Sequence, residues 1–282
     1  MKEIRPATDL VQKLTTEDIE IPSMPEVATK VLAVIENDNF SINQLEDVML
    51  EDQSITANLL KIANTPFYNR GKPITTINGA FMSLGINNVV PLISMIALNN
   101  YARSRHINNE LLQHPHAVSI LTSLLASSMD VVKKEEALIA GLLHDMGILL
   151  LFDNAPAAYV QIGTKIKEGK HSYIEIEREL LGCDHCQIGG ILAEKWHFPS
   201  IYAYTIMHHH DEEIISGDLT YEQKLCYLVG IADRIAFEAD IGIGESDKKC
   251  LQSLIESLDI ENHTYEHAVD KSRFFKKTGK WR

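Results

Sequence analysis

The sequence has few cysteines and lacks both a long apolar run and an excess of positive charge. Four cysteines among 282 residues are too few for the disulfide framework of a small secreted domain. The longest apolar stretch, about Ala137–Phe152, is interrupted by His144 and Asp145 and is shorter than the roughly 20 residues of a membrane-spanning helix. Because the chain also does not open with a signal-peptide pattern, we expect a cytoplasmic protein without a membrane span.

Two of the cysteines, Cys183 and Cys186, form a C-x-x-C motif. Such a pair can be a redox couple or half of a zinc site. No second C-x-x-C or nearby Cys/His pair completes a zinc site, and no βαβ pattern surrounds the motif. Two reduced cysteines at the start of a helix are therefore the favoured interpretation.

The charge balance argues against a nucleic-acid partner. A net charge of -13 repels the phosphates of DNA and RNA. The exception is a basic tail that runs from Lys271 to Arg282 and could contact an anionic surface. A solvated, frayed terminus is the favoured interpretation of this tail.

Helical periodicity is the dominant pattern along the chain. Val27, Val31 and Ile35 recur at helical spacing, and Ser41 followed by Gln44 predicts a capping box. No segment shows the alternation of a strand, so we predict an all-α protein built from two packed helical subdomains. The predicted boundaries are an N-terminal extension (1–20), an N-terminal subdomain (21–108), a C-terminal subdomain (109–258) and a tail (259–282), with a junction near His106–Asn109.

The segment Ala137–Leu150 places His144 and Asp145 inside a helix that is apolar on nearly every side. Such a helix must be buried, and an imidazole and a carboxylate are costly there unless they are hydrogen-bonded, paired or bound to a metal. A satisfied buried pair is the more common explanation for the dipeptide alone. Gly141 and Gly147 fit this helix if neighbouring backbones approach closely.

Other segments repeat this pattern of polar groups in apolar surroundings. Asp233 lies in another apolar helix, where an ion pair with a distant base is the alternative. His185 follows Asp184, a good N-cap, and the helix dipole there disfavours the imidazolium form and leaves a ring that can bind a metal. The remaining histidines are open to simpler explanations. His208, His209 and His210 could be a surface cluster at the C-terminal end of a helix, and His114 and His116 could be a polar helix start.

Together these residues offer imidazole nitrogens and carboxylate oxygens from several helices, as metal sites in helical bundles require. Mixed nitrogen and oxygen ligands suit Fe, Mn, Zn or Ni better than Ca. Two such metals can activate water against a phosphate ester. The sequence contains no Walker loop, no G-x-S-x-G and no H-E-x-x-H that would indicate another chemistry.

The order of these motifs resembles the HDOD family, relatives of the HD-type metal-dependent phosphohydrolases and the HD-GYP phosphodiesterases, from about Ile21 to Asp240. In the first half the resemblance rests on Ile21–Pro25, Leu50–Ser54 (with Gln53 in place of the usual proline), Leu59–Thr65 and Ile77–Gly85. In the second half it rests on His144–Gly147 ("HD-x-G"), Gly182–His185 with Gly189 and Trp196, the pair His209-His210 after Pro199, and Asp233.

The resemblance implies that the C-terminal subdomain is an HD-like helical bundle holding one or two divalent metal ions. The implied ligands are His114 (with His116 as the fallback), His144, Asp145, His185, His209, His210 and Asp233. HDOD domains are commonly regarded as signalling outputs whose ligand sets have partly decayed, whereas every position is filled here. Two departures weaken a cyclic-dinucleotide phosphodiesterase: Ile148 replaces the lysine of "HD-x-G-K", and no "GYP" segment follows His210.

Two hypotheses follow. The first is a bacterial signalling protein of the HDOD type that acts mainly through contacts with unknown protein partners and carries a bound metal. The alternative is a metal-dependent phosphohydrolase acting on a nucleotide or another phosphate-containing small molecule. In that case Asp145, with a metal-bound hydroxide, is the expected catalytic residue.

Overall fold

The computed structural model describes residues 23–282, apart from 38, 66–67, 70, 105–108, 130–131, 167–171, 212–216, 243, 245–246, 280 and 282. Throughout these residues the regular structure is α-helical and no strand occurs, which confirms the all-α prediction. The predicted extension (1–20), the first two residues of the Ile21–Pro25 motif and most of the junction lie outside the described residues. The chain divides into two compact units, one over Pro22–Ser104 and the other over Arg105–Arg282.

The described part of the N-terminal unit contains the helices α1 (Glu26–Ile35), α2 (Ile42–Leu50), α3 (Gln53–Ala63), α4 (Ile77–Leu84) and α5 (Ile86–Ser104). The capping box at the start of α2 is present, because the Ser41 side chain accepts from the Gln44 N–H and the Gln44 side chain accepts from the Ser41 N–H. Asp52 caps α3 by accepting from the Ile55 N–H at 2.9 Å. The buried core of the N-terminal unit includes the side chains of Leu45, Met49, Leu59, Phe81 and Leu92.

The C-terminal unit contains α6 (Asn109–Met129), α7 (Lys134–Leu143), α8 (Met146–Asn154), α9 (Pro156–Ile166), α10 (Tyr173–Leu181), α11 (His185–Lys195), α12 (Ser200–His208), α13 (Tyr221–Glu238), α14 (Lys248–Ser257) and α15 (Asn262–Thr278). Helices α6, α7 and α13 pack against one another at its centre, and α11 packs against α8 and α12. The apolar helix α13 is buried along almost its whole length from Leu225 to Ala236.

The sequence analysis placed His144 and Asp145 inside one helix over Ala137–Leu150, and the structure divides this segment between two helices. Helix α7 ends at Leu143, and Asp145, with φ -96° and ψ 15°, lies just before α8. The side chain of Asp145 makes no capping bond to α8. The break therefore leaves both carboxylate oxygens of Asp145 available to the interior of the unit.

Close backbone contacts explain the glycines on either side of this break. A Cβ atom on Gly141 would lie 2.7 Å from the Ser119 Cα atom of α6. A Cβ atom on Gly147 would lie 2.0 Å from the His185 carbonyl oxygen of α11. Only glycine allows these approaches, as expected from the sequence, and the second one brings His185 towards Asp145.

The expectation of a frayed C-terminal tail is wrong. Residues 262–278 form the helix α15, which packs on α6 and α13 and buries Ala268, Val269 and Phe275. These apolar residues recur at helical spacing beneath an exposed basic face, which is the pattern of an amphipathic helix. The Lys276 ammonium donates to the backbone carbonyl of Asp240.

Within the described residues, no single helix combines the length and the apolar character needed to cross a membrane. The segments Ile77–Leu84 and Ile86–Asn100 pass that test only when they are taken together as a pair bent by 108°.

Candidate metal centre

The structure brings together all seven residues that the sequence analysis selected as ligands. They form two groups, and within each group one candidate ligand atom per residue lies within 4.8 Å of the others. The first group is His114, His144 and Asp233, and the second is Asp145, His185, His209 and His210. They lie on three helices (α6, α11 and α13), in the turn between α7 and α8, and directly after the last residue of α12.

The carboxylate of Asp145 lies between the two groups. Its Oδ2 atom is 3.2 Å from the Nε2 atom of His144 and 3.4 Å from that of His114. Its Oδ1 atom is 3.3 Å from the Nε2 atom of His185 and 3.6 Å from that of His209. Each oxygen thus faces a different pair of imidazoles, which is the arrangement of a carboxylate able to bridge two cations.

Asp233 makes a second connection between the groups. Its Oδ1 atom is 2.8 Å from the Nε2 atom of His114 and 3.8 Å from that of His144. Its Oδ2 atom is 3.8 Å from the Nε2 atom of His210. The carboxylate is fully buried, so an isolated charge there would be strongly unfavourable.

Four histidines present the same ring nitrogen to the cluster. In each of them Nδ1 contacts an oxygen that accepts a hydrogen bond. For three rings it is a backbone carbonyl: that of Ile241 for His114 (2.8 Å), Gly141 for His144 (2.8 Å) and Ile206 for His209 (3.0 Å). For His185 it is the Glu177 carboxylate (2.7 Å). Nδ1 must therefore carry the hydrogen. Nε2 is left facing the carboxylates, with its lone pair available to a metal in the neutral ring.

Several buried polar atoms in the cluster have no hydrogen-bond partner. They are the Nε2 atoms of His144 and His185 and the Oδ2 atom of Asp233. Buried polar atoms in folded proteins are almost always satisfied, so orphaned atoms that face one centre call for an explanation. A divalent cation fits them, because imidazole nitrogen and carboxylate oxygen are the ligands that Fe, Mn, Zn and Ni accept.

The carboxylates hold their negative charge despite burial. Desolvation raises the pKa of Asp145, but the neighbouring His144, His209 and His185 lower it by more, so the pKa lies well below its ordinary value. The pKa of Asp233 is also well below its ordinary value, because His114, His144 and His210 outweigh desolvation. Both carboxylates therefore stay ionised and can bind a cation that replaces the protons on the neighbouring imidazoles.

The histidines divide between charged and neutral forms. Burial lowers the pKa of His144 and His209, but the surrounding acidic groups raise it to about 8 and about 10 respectively. Burial and the neighbouring His209 hold the pKa of His210 well below its ordinary value, so this ring is neutral. A metal ion that enters the cluster must therefore displace protons from some of its ligands.

The helix dipole does not control the charge of His185, contrary to the expectation from the sequence. Burial lowers the pKa of this ring, but the Glu177 carboxylate and Cys186 outweigh burial and raise it well above its ordinary value. Glu177 was missed in the sequence. Its only signal is its position on the buried face of α10, which it shares with Tyr173, Ile176 and Leu181.

The other candidates lie outside the cluster. His208 points away from it and pairs with Asp211 at 2.7 Å. His116, the fallback for the first ligand, is exposed, whereas His114 is buried in the cluster. Cys183 and Cys186 are buried and free, without a disulfide, and the Sγ atom of Cys186 lies 3.7 Å from the Nδ1 atom of His209.

The fold and this cluster define a class: an all-helical protein with buried His/Asp groups that could hold metal ions. The HDOD domain model matches residues 21–212, which is most of the chain, and the chain belongs to the HDOD family.

Among solved structures, similar ones include two that carry provisional functional names. A provisionally named metal-dependent phosphohydrolase from Shewanella amazonensis has a TM-score of 0.67 and 19% identity, and the alignment covers 95% of this chain and 97% of that one. A provisionally named signal transduction protein from Marinobacter aquaeolei has a TM-score of 0.65 and 21% identity, with 95% of this chain and 59% of that one covered. At these identities the likeness shows the shared fold.

One relative by sequence is an uncharacterized protein of Treponema pallidum, which is 21% identical to this chain over 210 residues. The match covers 72% of this chain but only 40% of the relative. The chain therefore corresponds to about two fifths of the length of that relative.

Proposed function

We propose that this protein is a bacterial regulatory HDOD protein whose C-terminal unit binds one or two divalent metal ions. The ligands are His114, His144, Asp145, His185, His209, His210 and Asp233. The single observation that carries the proposal is the convergence of these residues on Asp145, whose two oxygens face separate groups of imidazole nitrogens. The orphaned atoms in each group support it.

The regulatory part of the proposal rests on the family and on the division of labour between the units. The N-terminal unit contributes no residue to either group of candidate ligands among the described residues. The HDOD resemblance implies signalling through protein contacts, and one structural relative is provisionally named a signal transduction protein. We expect the protein to bind a signalling partner whose identity the fold does not specify.

The test of the metal site is elemental analysis of the purified protein, followed by titration of the stripped protein with Mn²⁺, Fe²⁺ and Zn²⁺. His209→Ala is expected to lose stoichiometric metal because it removes one ligand. His208→Ala is the matched control: it changes the adjacent histidine, which pairs with Asp211 outside the cluster. Wild-type protein that binds no metal, or equal metal content in both variants, would refute the site.

The partner prediction has its own test. Affinity capture with the wild-type chain is compared with capture by Asp145→Ala, with and without a chelator. We expect a partner whose binding to the wild-type protein can be reproduced in purified form. Failure to bind any protein under all conditions would contradict the regulatory role without affecting the metal site.

Hydrolysis of a phosphate ester is the second candidate function. The position of Asp145 between two ligand groups favours it, because a pair of metals held there would supply an activated water and charge stabilisation for a phosphate. The chain's own contribution is to hold the ligands rigidly and to exclude bulk water. His210, with 17% of its side chain exposed, is the ligand at the edge of the cluster and marks the side from which a substrate reaches it.

The enzyme is tested with metal-loaded protein against nitrophenyl phosphate esters and cyclic dinucleotides. Ile148 is buried and apolar where the phosphodiesterase pattern has lysine, so cyclic dinucleotides are expected to be poorer substrates than simple esters. Activity must disappear in Asp145→Ala and persist in His208→Ala. Activity that survives the loss of Asp145 comes from elsewhere.

A further inference from the structure

We propose that Glu177 is a positioning residue that fixes the ring of His185 as a metal ligand and strengthens its Nε2 atom as a donor. This inference rests on the proposed metal site and adds to it a residue that provides no ligand atom. It concerns a carboxylate on α10, a helix that contributes none of the seven candidate ligands.

Glu177 accepts hydrogen bonds at both carboxylate oxygens. Its Oε2 atom accepts from the backbone N–H of His185 at 2.9 Å and from Nδ1–H of the same residue at 2.7 Å. Its Oε1 atom accepts from the Tyr159 hydroxyl at 2.5 Å. The side chain of Glu177 is completely buried, so these three donors compensate the loss of water around its charge.

The direction of these bonds follows from the donors. Burial and Glu177 raise the pKa of Tyr159 well above its ordinary value, so the phenol keeps its proton and donates it. The backbone N–H of His185 can only donate. Glu177 therefore acts as an acceptor throughout, and the hydrogen of the His185 ring lies on Nδ1, which leaves Nε2 directed at Asp145.

A carboxylate does more here than the backbone carbonyls that hold the other three rings. Its negative charge increases the electron density of the imidazole and makes Nε2 a stronger ligand. His185 occupies the first position of α11, at the positive end of the helix dipole, and the carboxylate of Glu177 opposes that dipole at the ring. The hydrogen bond from the backbone N–H of His185 to Glu177 also fixes the backbone from which the His185 side chain extends.

Helix capping does not explain Glu177 by itself, because α11 already has a cap. The Asp184 side chain accepts from the Gln187 N–H at 2.9 Å, and Gln187 completes a capping box. Asp184 is in turn paired with Arg178 at 2.7 Å. The distinctive contact of Glu177 is the one with the ring of His185.

The experiment compares Glu177→Gln with Glu179→Gln. Both substitutions remove one charge from α10, but Glu179 is half exposed and pairs with Lys165 at 2.6 Å, away from the cluster. The Zn²⁺ dissociation constant of the stripped protein is measured by chelator competition. Glu177→Gln is expected to weaken Zn²⁺ binding by about 10- to 100-fold, the usual effect of removing such a partner, and Glu179→Gln to leave it unchanged.

A spectroscopic measurement separates positioning from general stability. In the zinc-loaded protein labelled with ¹⁵N at histidine, the wild-type His185 ring is expected to show a strongly hydrogen-bonded Nδ1–H signal, which weakens or shifts in Glu177→Gln. If Glu177→Gln fails to fold, Glu177→Asp is measured instead. It keeps the charge but withdraws it by one methylene, so the same loss of affinity is expected.

The outcomes are distinct. Equal Zn²⁺ affinity in Glu177→Gln, Glu179→Gln and the wild-type protein overturns the positioning role, even if Glu177→Gln melts earlier. An unchanged His185 signal in Glu177→Gln also overturns it. Absence of Zn²⁺ binding by the wild-type protein overturns the proposed metal site itself, a result that is recognised before any variant is compared.

Discussion

Replacing Gly147 with alanine tests whether the close contact between α8 and α11 builds the cluster. The new methyl group would lie 2.0 Å from the His185 carbonyl oxygen and 2.7 Å from the Gly189 nitrogen. Both are backbone atoms and cannot rotate away. Since ordinary contact begins at 3.4 Å, the two helices must separate by about 1.4 Å. Forced separations of this kind cost about 1–3 kcal/mol, and this one belongs at the upper end.

The same movement has a chemical consequence. Gly147 lies two residues after Asp145, and its contact is with the backbone of His185 itself. Separation of the helices lengthens the 3.3 Å contact between the Asp145 and His185 side chains. We therefore expect weaker metal binding together with the loss of stability.

Gly163→Ala provides the matched control. Gly163 lies inside α9, and a Cβ atom there would meet nothing within 4 Å. The substitution should stabilise the unit by about 0.5–1 kcal/mol, because alanine is a better helix former than glycine. Urea denaturation in the presence of a chelator measures both free energies of unfolding, and chelator competition measures the Zn²⁺ affinities. Gly147→Ala that is as stable as Gly163→Ala and binds Zn²⁺ like the wild-type protein would refute the packing argument.

Three further predictions concern pH, capping and the thiols. The pKa values of His144 and His209 are raised to about 8 and about 10, so protonation of these rings stabilises the chelator-treated protein fully below about pH 6.5. This contribution is lost as the pH rises through 8 towards 10, and the melting temperature should fall over that range. Saturating metal should reverse the trend, because metal binding releases protons, and a parallel fall with and without metal would contradict the metal site. Asp184→Ala should destabilise the C-terminal unit by about 1–2 kcal/mol through loss of the α11 cap, whereas a change below the error of urea denaturation would show that the capping box is dispensable. The four free, buried cysteines should resist a thiol reagent until the protein unfolds, above all Cys183, whose pKa burial and Glu177 raise to about 12; rapid modification of the folded protein would contradict the core packing.

Three of the candidate ligands were conspicuous in the sequence because they lie in apolar segments, whereas His114, His209 and His210 were assigned through the resemblance to the HDOD family. His144, Asp145 and Asp233 interrupt helices that are otherwise apolar, and such interruptions need a compensating partner. The all-α fold and the capping boxes followed from periodicity and local hydrogen bonding, which depend on residues close in sequence. These features need no knowledge of the tertiary structure.

The features that were missed leave no distinctive local pattern in the sequence. Glu177 is eight positions from His185, on a helix whose alternation of charged and apolar residues is ordinary. The carbonyl of Ile241, which fixes the ring of His114, is a backbone atom that every residue possesses. The break before Asp145 was hidden because apolar residues continue through it on both sides.

The candidate metal centre extends beyond the family match, which ends at residue 212. Asp233 supplies oxygen atoms to both ligand groups from α13, and the ring of Phe237 stacks on His114 with centroids 4.7 Å apart and planes 6° from parallel. Gly242, at φ +104°, lies so close that a Cβ atom there would be 2.5 Å from the Nδ1 atom of His114. Because the carbonyl of Ile241 and the approach of Gly242 together fix this ring, a chain cut at the end of the family match would lose one carboxylate and the support of the first histidine. The described residues from Asp233 to Gly242 thus belong to the candidate site.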